Sequence, residues 1–249
     1  MVLKDRVAIV TGASRGIGRA VAVRFAREGA DVVVVAVEDQ ASAEAVKDEV
    51  ETMGRRGLVR MADVSRRQEV EGMVQACIDN FGKIDILVNN AGIIHPAMFL
   101  ELPEEQWDRV LAVHLKGTFN CTQVAGAAMR EKGFGRIMNV VAPSAIRATI
   151  GVADYAAAKG GIMALTKTVA KELGPYGITV NCICPAVETR MTESLKAFRG
   201  SAAQNEGSRF PLGRYPTAEE VAEAFVFFAS PASAAITGQV LAADGGLTI

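Results

Sequence analysis

With 249 residues, half of them hydrophobic, and a net charge of −1, the chain has the size of one α/β domain and no global basic field for nucleic acid or an anionic membrane. No apolar run approaches the roughly 18 residues of a membrane helix, and residues 1–10 carry no signal-peptide pattern. The four cysteines, Cys77, Cys121, Cys182 and Cys184, contain no C-x-x-C pair and suggest no metal centre. Buried free thiols, a reducing cytoplasmic compartment and one domain over residues 1–249 are therefore expected.

Runs rich in valine and isoleucine recur at 7–10, 32–37, 58–61, 84–88, 136–141, 179–184 and 239–241, with helix-like stretches between them. Apolar residues fill these runs continuously instead of alternating with polar ones, as in strands buried on both faces, so a parallel sheet covered by helices on both sides is expected.

The first run leads straight into TGASRGIG at 11–18, whose glycines open a helix. Such a loop lets the backbone approach a pyrophosphate, and the helix N-terminus offers free N–H groups to it. Its G-x-x-x-G-x-G spacing also fits a plain strand-to-helix turn. Ser65 with Gln68, and later Thr217 with Glu220, match capping boxes at helix starts. NNAG at 89–92 follows the fourth run, and the helices expected over 107–129 and 155–173 are apolar on more than one face, which asks for a partner surface. After the fifth run come Ala142, Pro143 and Ser144, and then Tyr155, one helical turn before Lys159, a spacing that sets an ammonium beside a phenol. Residues 186–216 break the rhythm and form a candidate substrate lid, with Lys196, Arg199 and Arg209 as candidate anion contacts or simply solvated charges. DGG at 244–246 closes the chain.

Taken together and in this order, TGASRGIG, NNAG, YAAAK and DGG resemble the short-chain dehydrogenase/reductase family over essentially the whole chain. The resemblance implies a single-domain Rossmann fold, a doubly wound seven-stranded parallel sheet with helices on both faces, and a nicotinamide dinucleotide. By matched position it assigns Gly12, Ser14, Ile17 and Gly18 to the phosphates, Asp63 and Val64 to the adenine, and Asn90, Ala91 and Gly92 to the nicotinamide ribose. Pro185, Val187 and Thr189 would contact the carboxamide. At the end of the second strand an acid would hold a ribose 2′-hydroxyl and repel a 2′-phosphate. Ala36 stands there, and with Arg15 in the glycine loop NADP is favoured slightly over NAD, although Glu38 or Asp39 could take the ribose role.

The resemblance makes Tyr155 the general acid or base and Lys159 the residue that binds the ribose and lowers the tyrosine's pKa. Two positions depart from the family pattern. Position 142, where the family has a serine that holds the substrate carbonyl, is alanine; Ser144 is the nearest replacement and Thr149 a weaker one. His114 stands where the family usually has an asparagine, and it could relay protons. His114, together with the shortened PAVETRMTE at 185–193, resembles the (3R)-hydroxyacyl-CoA dehydrogenase branch. The expected activity is interconversion of a secondary alcohol and a ketone, with a 3-oxoacyl thioester the best single substrate guess and a homotetramer the implied assembly. The competing reading is a non-catalytic dinucleotide-binding sensor or scaffold that lost its chemistry with the serine.

Overall fold

The computed structural model describes residues 1–200 and 209–249. Seven strands, β1 (Val7–Thr11), β2 (Asp31–Ala36), β3 (Gly57–Met61), β4 (Ile86–Asn89), β5 (Gly135–Val140), β6 (Ile178–Pro185) and β7 (Val240–Ala243), form one sheet. Its order is β3-β2-β1-β4-β5-β6-β7 and every pairing is parallel. The reversal of strand order between β1 and β4 opens a crevice at their carboxyl ends.

The continuous valines of β2 have a simple cause. Val32 and Val34 pack with α1 (Gly16–Arg27), α2 (Gln40–Thr52) and α8 (Ala218–Ala229), through Val21, Phe25, Val46 and Phe225. Val33 and Val35 point the other way, into a second core built with α3 (Arg67–Phe81), α5 (Gly117–Lys132) and α6 (Ala153–Leu173), through Met73, Cys121, Met129 and Ala170. With both faces covered, no solvent-facing row is left to be polar. All four cysteines are buried and free.

Three local readings change. Ser65 does not cap α3: the N-cap is Arg66 without a side-chain bond, and Ser65 Oγ instead donates to Asp63 Oδ1 at 2.7 Å. The stretch 107–129 is not one regular helix. α4 (Glu104–Leu111) passes through a π turn, Ala112–Lys116, before α5 begins. β4 starts later than its apolar run because Asp85 is occupied with Arg6 and with the backbone N–H of Val7. By contrast, Thr217 and Glu220 do form a reciprocal capping box on α8, reinforced by Arg214 on the Glu220 carboxylate.

Within the expected lid, 186–216, the described part contains α7 (Arg190–Arg199), while residues 201–208 lie outside the described residues. Lys196 pairs with Glu188 and lies 4.7 Å over the Tyr215 ring, Arg199 donates to the Ile150 carbonyl at 3.4 Å, and Arg209 is exposed. Among the described residues no helix is long and apolar enough to cross a membrane, and no cluster of histidine, cysteine and carboxylates could hold a metal ion.

Candidate active site

The glycine loop and the NNAG loop are pressed together at the crevice. Gly12 has a φ of +64°, and a Cβ there would fall 2.9 Å from Ala91 Cα; at Gly18 a Cβ would meet the Gly12 carbonyl oxygen at 2.3 Å. The side-chain amide of Asn90 donates to the carbonyls of Thr11 (2.9 Å) and Gly12 (3.0 Å). Thr11 Oγ1 accepts from the backbone N–H groups of Asn90 (3.0 Å) and Ala91 (3.1 Å). Asn89 is spent one layer deeper, donating to Thr122 Oγ1 (3.0 Å) and Asn139 Oδ1 (2.8 Å). Thus Asn90 first of all ties the two loops to each other.

α1 opens at Gly16 with Arg15 as an extended N-cap that makes no side-chain bond to the helix. The N–H groups of its first turn have no side-chain cap, a donor set that suits a pyrophosphate. Ser14 and Ile17 flank this turn half-buried, and Arg15 is exposed. At the end of β2, Ala36 is buried and Glu38 is exposed. Asp39 is occupied as the N-cap of α2, accepting from the Ser42 N–H at 3.0 Å. Of the two acids considered for the ribose, only Glu38 has no structural task among the described residues.

The Asp63 carboxylate is also engaged, by Ser65 and by Arg109 Nη2 (3.1 Å), and these bonds hold it below the usual aspartate range against its burial. Val64 is buried, its carbonyl accepts from Asn120 Nδ2 (2.9 Å), and its side chain packs so closely on Gly117 that a Cβ there would come within 2.6 Å. On the other side of the crevice Pro185 ends β6, Val187 is buried, and Thr189 caps α7 through a reciprocal pair of bonds with Thr192. A Cβ on Gly16 would lie 3.9 Å from Thr189 Cγ2, so the start of α7 rests on the glycine loop.

Tyr155 and Lys159 sit in the first turns of α6. That end is fixed by Asp154, which accepts from the Tyr155 N–H (2.7 Å) and from Gln106 Nε2 of α4 (3.0 Å). Lys159 Nζ lies 5.4 Å from the centre of the Tyr155 ring and donates to the Val140 carbonyl at 2.6 Å, at the end of β5. Burial pushes the ammonium down to about 8, opposed by the neighbouring Cys182 and Cys184. Burial, with Cys184 beside it, pushes the Tyr155 phenol up, so in this state desolvation outweighs the expected acidifying effect of Lys159.

His114 stands on the π turn and meets the Tyr155 ring edge-on. Its Nε2 lies 3.0 Å from the Ile93 backbone nitrogen and 2.7 Å from the Ile93 carbonyl oxygen, while Nδ1 is buried without a partner among the described residues. Burial, helped by Lys159, holds the imidazole down to about 3 and therefore neutral. Gly92 faces it: a Cβ on Gly92 would come within 2.3 Å of His114 Cε1. Ser144 lies on the 3-10 turn Pro143–Ala145 just past β5, and its Oγ is buried with no hydrogen-bond partner among the described residues. A buried hydroxyl without a partner costs about 1 to 3 kcal/mol, the kind of cost found where a ligand completes the site. Thr11, Asn139 and Asp154 support this arrangement but could not be singled out from sequence, because their roles depend on which strands become neighbours.

A phenol and an ammonium thus meet at the carboxyl end of β5, and the turn that follows this strand carries a buried hydroxyl without a partner among the described residues. A family model described as enoyl-(acyl carrier protein) reductase matches residues 12–248. A 3-oxoacyl-(acyl-carrier-protein) reductase of Thermotoga maritima is 40% identical with full coverage of both chains. The chain belongs to the short-chain dehydrogenase/reductase family.

A subunit of a (hydroxy(phenyl)methyl)succinyl-CoA dehydrogenase from Thauera aromatica is also 40% identical, covering 100% of this chain and 99% of the other. The crystal structure of levodione reductase superposes with a TM-score of 0.93 at 35% identity, over 99% of this chain and 98% of that one. As a family member the protein is an NAD(P)-dependent oxidoreductase that interconverts a ketone and a secondary alcohol by hydride transfer. The non-catalytic reading raised by Ala142 finds no support in these relatives, which by name are reductases and dehydrogenases.

Proposed function

We propose that the protein reduces a 3-oxoacyl thioester, or oxidises the corresponding 3-hydroxyacyl thioester, with Tyr155, Lys159, Ser144 and His114 as its catalytic residues. The observation that carries this reading is the Tyr155–Lys159 pair with the unpartnered Ser144 hydroxyl on the adjoining turn. Among its relatives several act by name on an acyl-carrier-protein thioester and one on a coenzyme A thioester.

The nicotinamide, when bound, supplies or accepts the hydride. In the reductive direction the Tyr155 hydroxyl gives its proton to the carbonyl oxygen, and Ser144 Oγ donates a hydrogen bond to that same oxygen. Lys159 holds the ribose hydroxyls, and its charge favours the phenolate left on Tyr155. His114 would help to replace that proton as a neutral imidazole, accepting a proton at Nδ1, unpartnered among the described residues, while releasing the one at Nε2, so that no imidazolium need accumulate.

A bound dinucleotide would be held by Gly12, Ser14, Arg15, Ile17 and Gly18 at its phosphates, with Ala36 and Glu38 facing the 2′-position, Asp63 and Val64 the adenine, and Asn90, Ala91 and Gly92 the nicotinamide ribose. Pro185, Val187 and Thr189 complete the nicotinamide end. NADP is favoured slightly over NAD: Ala36 presents no charge to a 2′-phosphate, Asp39 is committed to its helix and Arg15 is exposed near it, while the free Glu38 carboxylate is the one group that would favour a ribose 2′-hydroxyl. The chain acts as one domain in the cytoplasm, as a homotetramer, and α7 is the described part of the lid expected within 186–216.

Turnover of acetoacetyl-CoA and of a panel of simple ketones with both cofactors tests this function. Tyr155→Phe should abolish turnover and leave cofactor binding nearly intact. Activity on simple ketones with none on any thioester would overturn the substrate class.

A further inference from the structure

The Ser144 hydroxyl has no partner among the described residues, so no hydrogen bond holds it and its place follows that of the backbone turn that carries it. That turn is closed by three bonds: Ala145 N–H to the Ala142 carbonyl (2.9 Å), and the N–H groups of Ile146 (3.0 Å) and Arg147 (2.8 Å) to the Pro143 carbonyl. Arg147 has a second attachment. Its Nη1 reaches to the carbonyl of Leu247, 100 residues further along the chain, and donates to it at 2.6 Å.

The acceptor belongs to a fixed segment. The Asp244 carboxylate accepts from the N–H groups of Gly246 (3.0 Å) and Thr248 (3.0 Å) and from Thr248 Oγ1 (2.6 Å). Gly246, at φ +87°, lies so close to Pro211 that a Cβ would come within 2.7 Å of Pro211 Cγ, and Leu212 N–H donates to the Gly245 carbonyl at 3.3 Å. The segment from Asp244 to Thr248 is therefore an anchored loop, and Arg147 moors the serine turn to it through a charge-assisted bond.

We propose that Arg147 is a positioning residue for the reaction: its bond to the Leu247 carbonyl holds the Pro143–Ala145 turn so that Ser144 Oγ shares the carbonyl oxygen with Tyr155. This rests on the role assigned to Ser144 above. A donor of this kind acts only when aimed at the position of the developing oxyanion, and a displacement of an ångström is enough to lose much of its effect.

The test uses full-length protein carrying Arg147→Ala or Arg147→Lys, and a chain ending at Gly246, which removes the acceptor. Arg147→Ala should lower kcat by roughly 10- to 100-fold with the cofactor dissociation constant unchanged, and Arg147→Lys should recover part of the loss. The shortened chain, which also loses the Thr248 bonds to Asp244, should fall at least as far as Arg147→Ala, and combining the two should cost nothing further. In a Ser144→Ala background, Arg147→Ala should have no added effect on kcat. A full loss in that background, or Arg147→Ala with unchanged kcat while Ser144→Ala is impaired, overturns the proposal and leaves the serine's role standing. If Ser144→Ala itself keeps full turnover, it is the serine's role that fails.

Discussion

His114 and Tyr155 meet edge to face, their ring centroids 5.0 Å apart and their planes at 86°. The contact ties the imidazole to the phenol without a hydrogen bond between them, in a place where the histidine is too buried to carry charge. Its pKa of about 3, against an ordinary 6.5, means that the unfolded chain takes up a proton the native state refuses. This contribution to stability is complete above pH 6.5 and is lost as the pH falls toward 3, by at most about 1.4 kcal/mol per pH unit. Denaturant titrations at pH 7 and pH 5 should show the loss, and His114→Asn should remove that part of the slope. A pH–rate profile of the parent enzyme should show no ionisation of His114 between pH 5 and 8.

Lys159 titrates close to working conditions, at about 8. On the proposed role of Lys159 in holding the cofactor ribose, the ammonium is the binding form, so affinity should fall as the pH rises above 8, by at most about tenfold per unit. Calorimetry with NADPH across pH 7 to 10 measures it. Lys159→Arg keeps its charge throughout and should give a flat profile, even if weaker overall.

Ser144→Ala should lower turnover by roughly 10- to 1000-fold with little change in cofactor affinity, the usual cost of one lost oxyanion donor. Ala142→Ser, which restores the family residue, should raise turnover in the Ser144→Ala background. Steady-state kinetics of the two single variants and the double variant decide the matter, and full activity in Ser144→Ala would assign the carbonyl to Tyr155 alone.

If Arg15 faces a 2′-phosphate, Arg15→Ala should weaken NADPH binding by about tenfold or more, and NADH binding much less, since a charge-assisted bond contributes on the order of 1.5 to 3 kcal/mol. Equal losses for the two cofactors would move Arg15 to the pyrophosphate.

α5 and α6 leave a groove of about 370 Å³ between them, lined by Phe119, Gly126, Leu165, Val169, Leu173 and Tyr176. Phe119 and Tyr176 are 42% and 43% exposed, much apolar surface for a face that meets only water. Light scattering should return four times the 26.3 kDa chain mass, and Val169→Glu should break the assembly. A monomer at micromolar concentration would refute the tetramer.

The sheet was legible because burial on both faces writes unbroken valine runs, and because Gly12 and Gly18 answer to backbone contacts that no other residue permits. What escaped reading depends on distant partners. Ser65 has the right spacing for a cap, yet Asp63 lies nearer to its hydroxyl and wins it. The π turn before α5 carries no proline; Gly117 behind it is pressed against Val64 in the connection between β3 and α3, and no local pattern signals that. Tyr155 and Lys159 could be paired from spacing alone, but the reach of Arg147 to Leu247 exists only once the fold brings the chain's end back to the crevice.

A methyl on Gly92 would lie 2.3 Å from His114 Cε1, so the two positions share one volume in the cleft. Any side chain at 92 needs the imidazole to move or shrink, which makes the two sites a coupled pair for redesign of the pocket: Gly92→Ala should destabilise the protein in thermal denaturation, and His114→Asn should restore much of that loss.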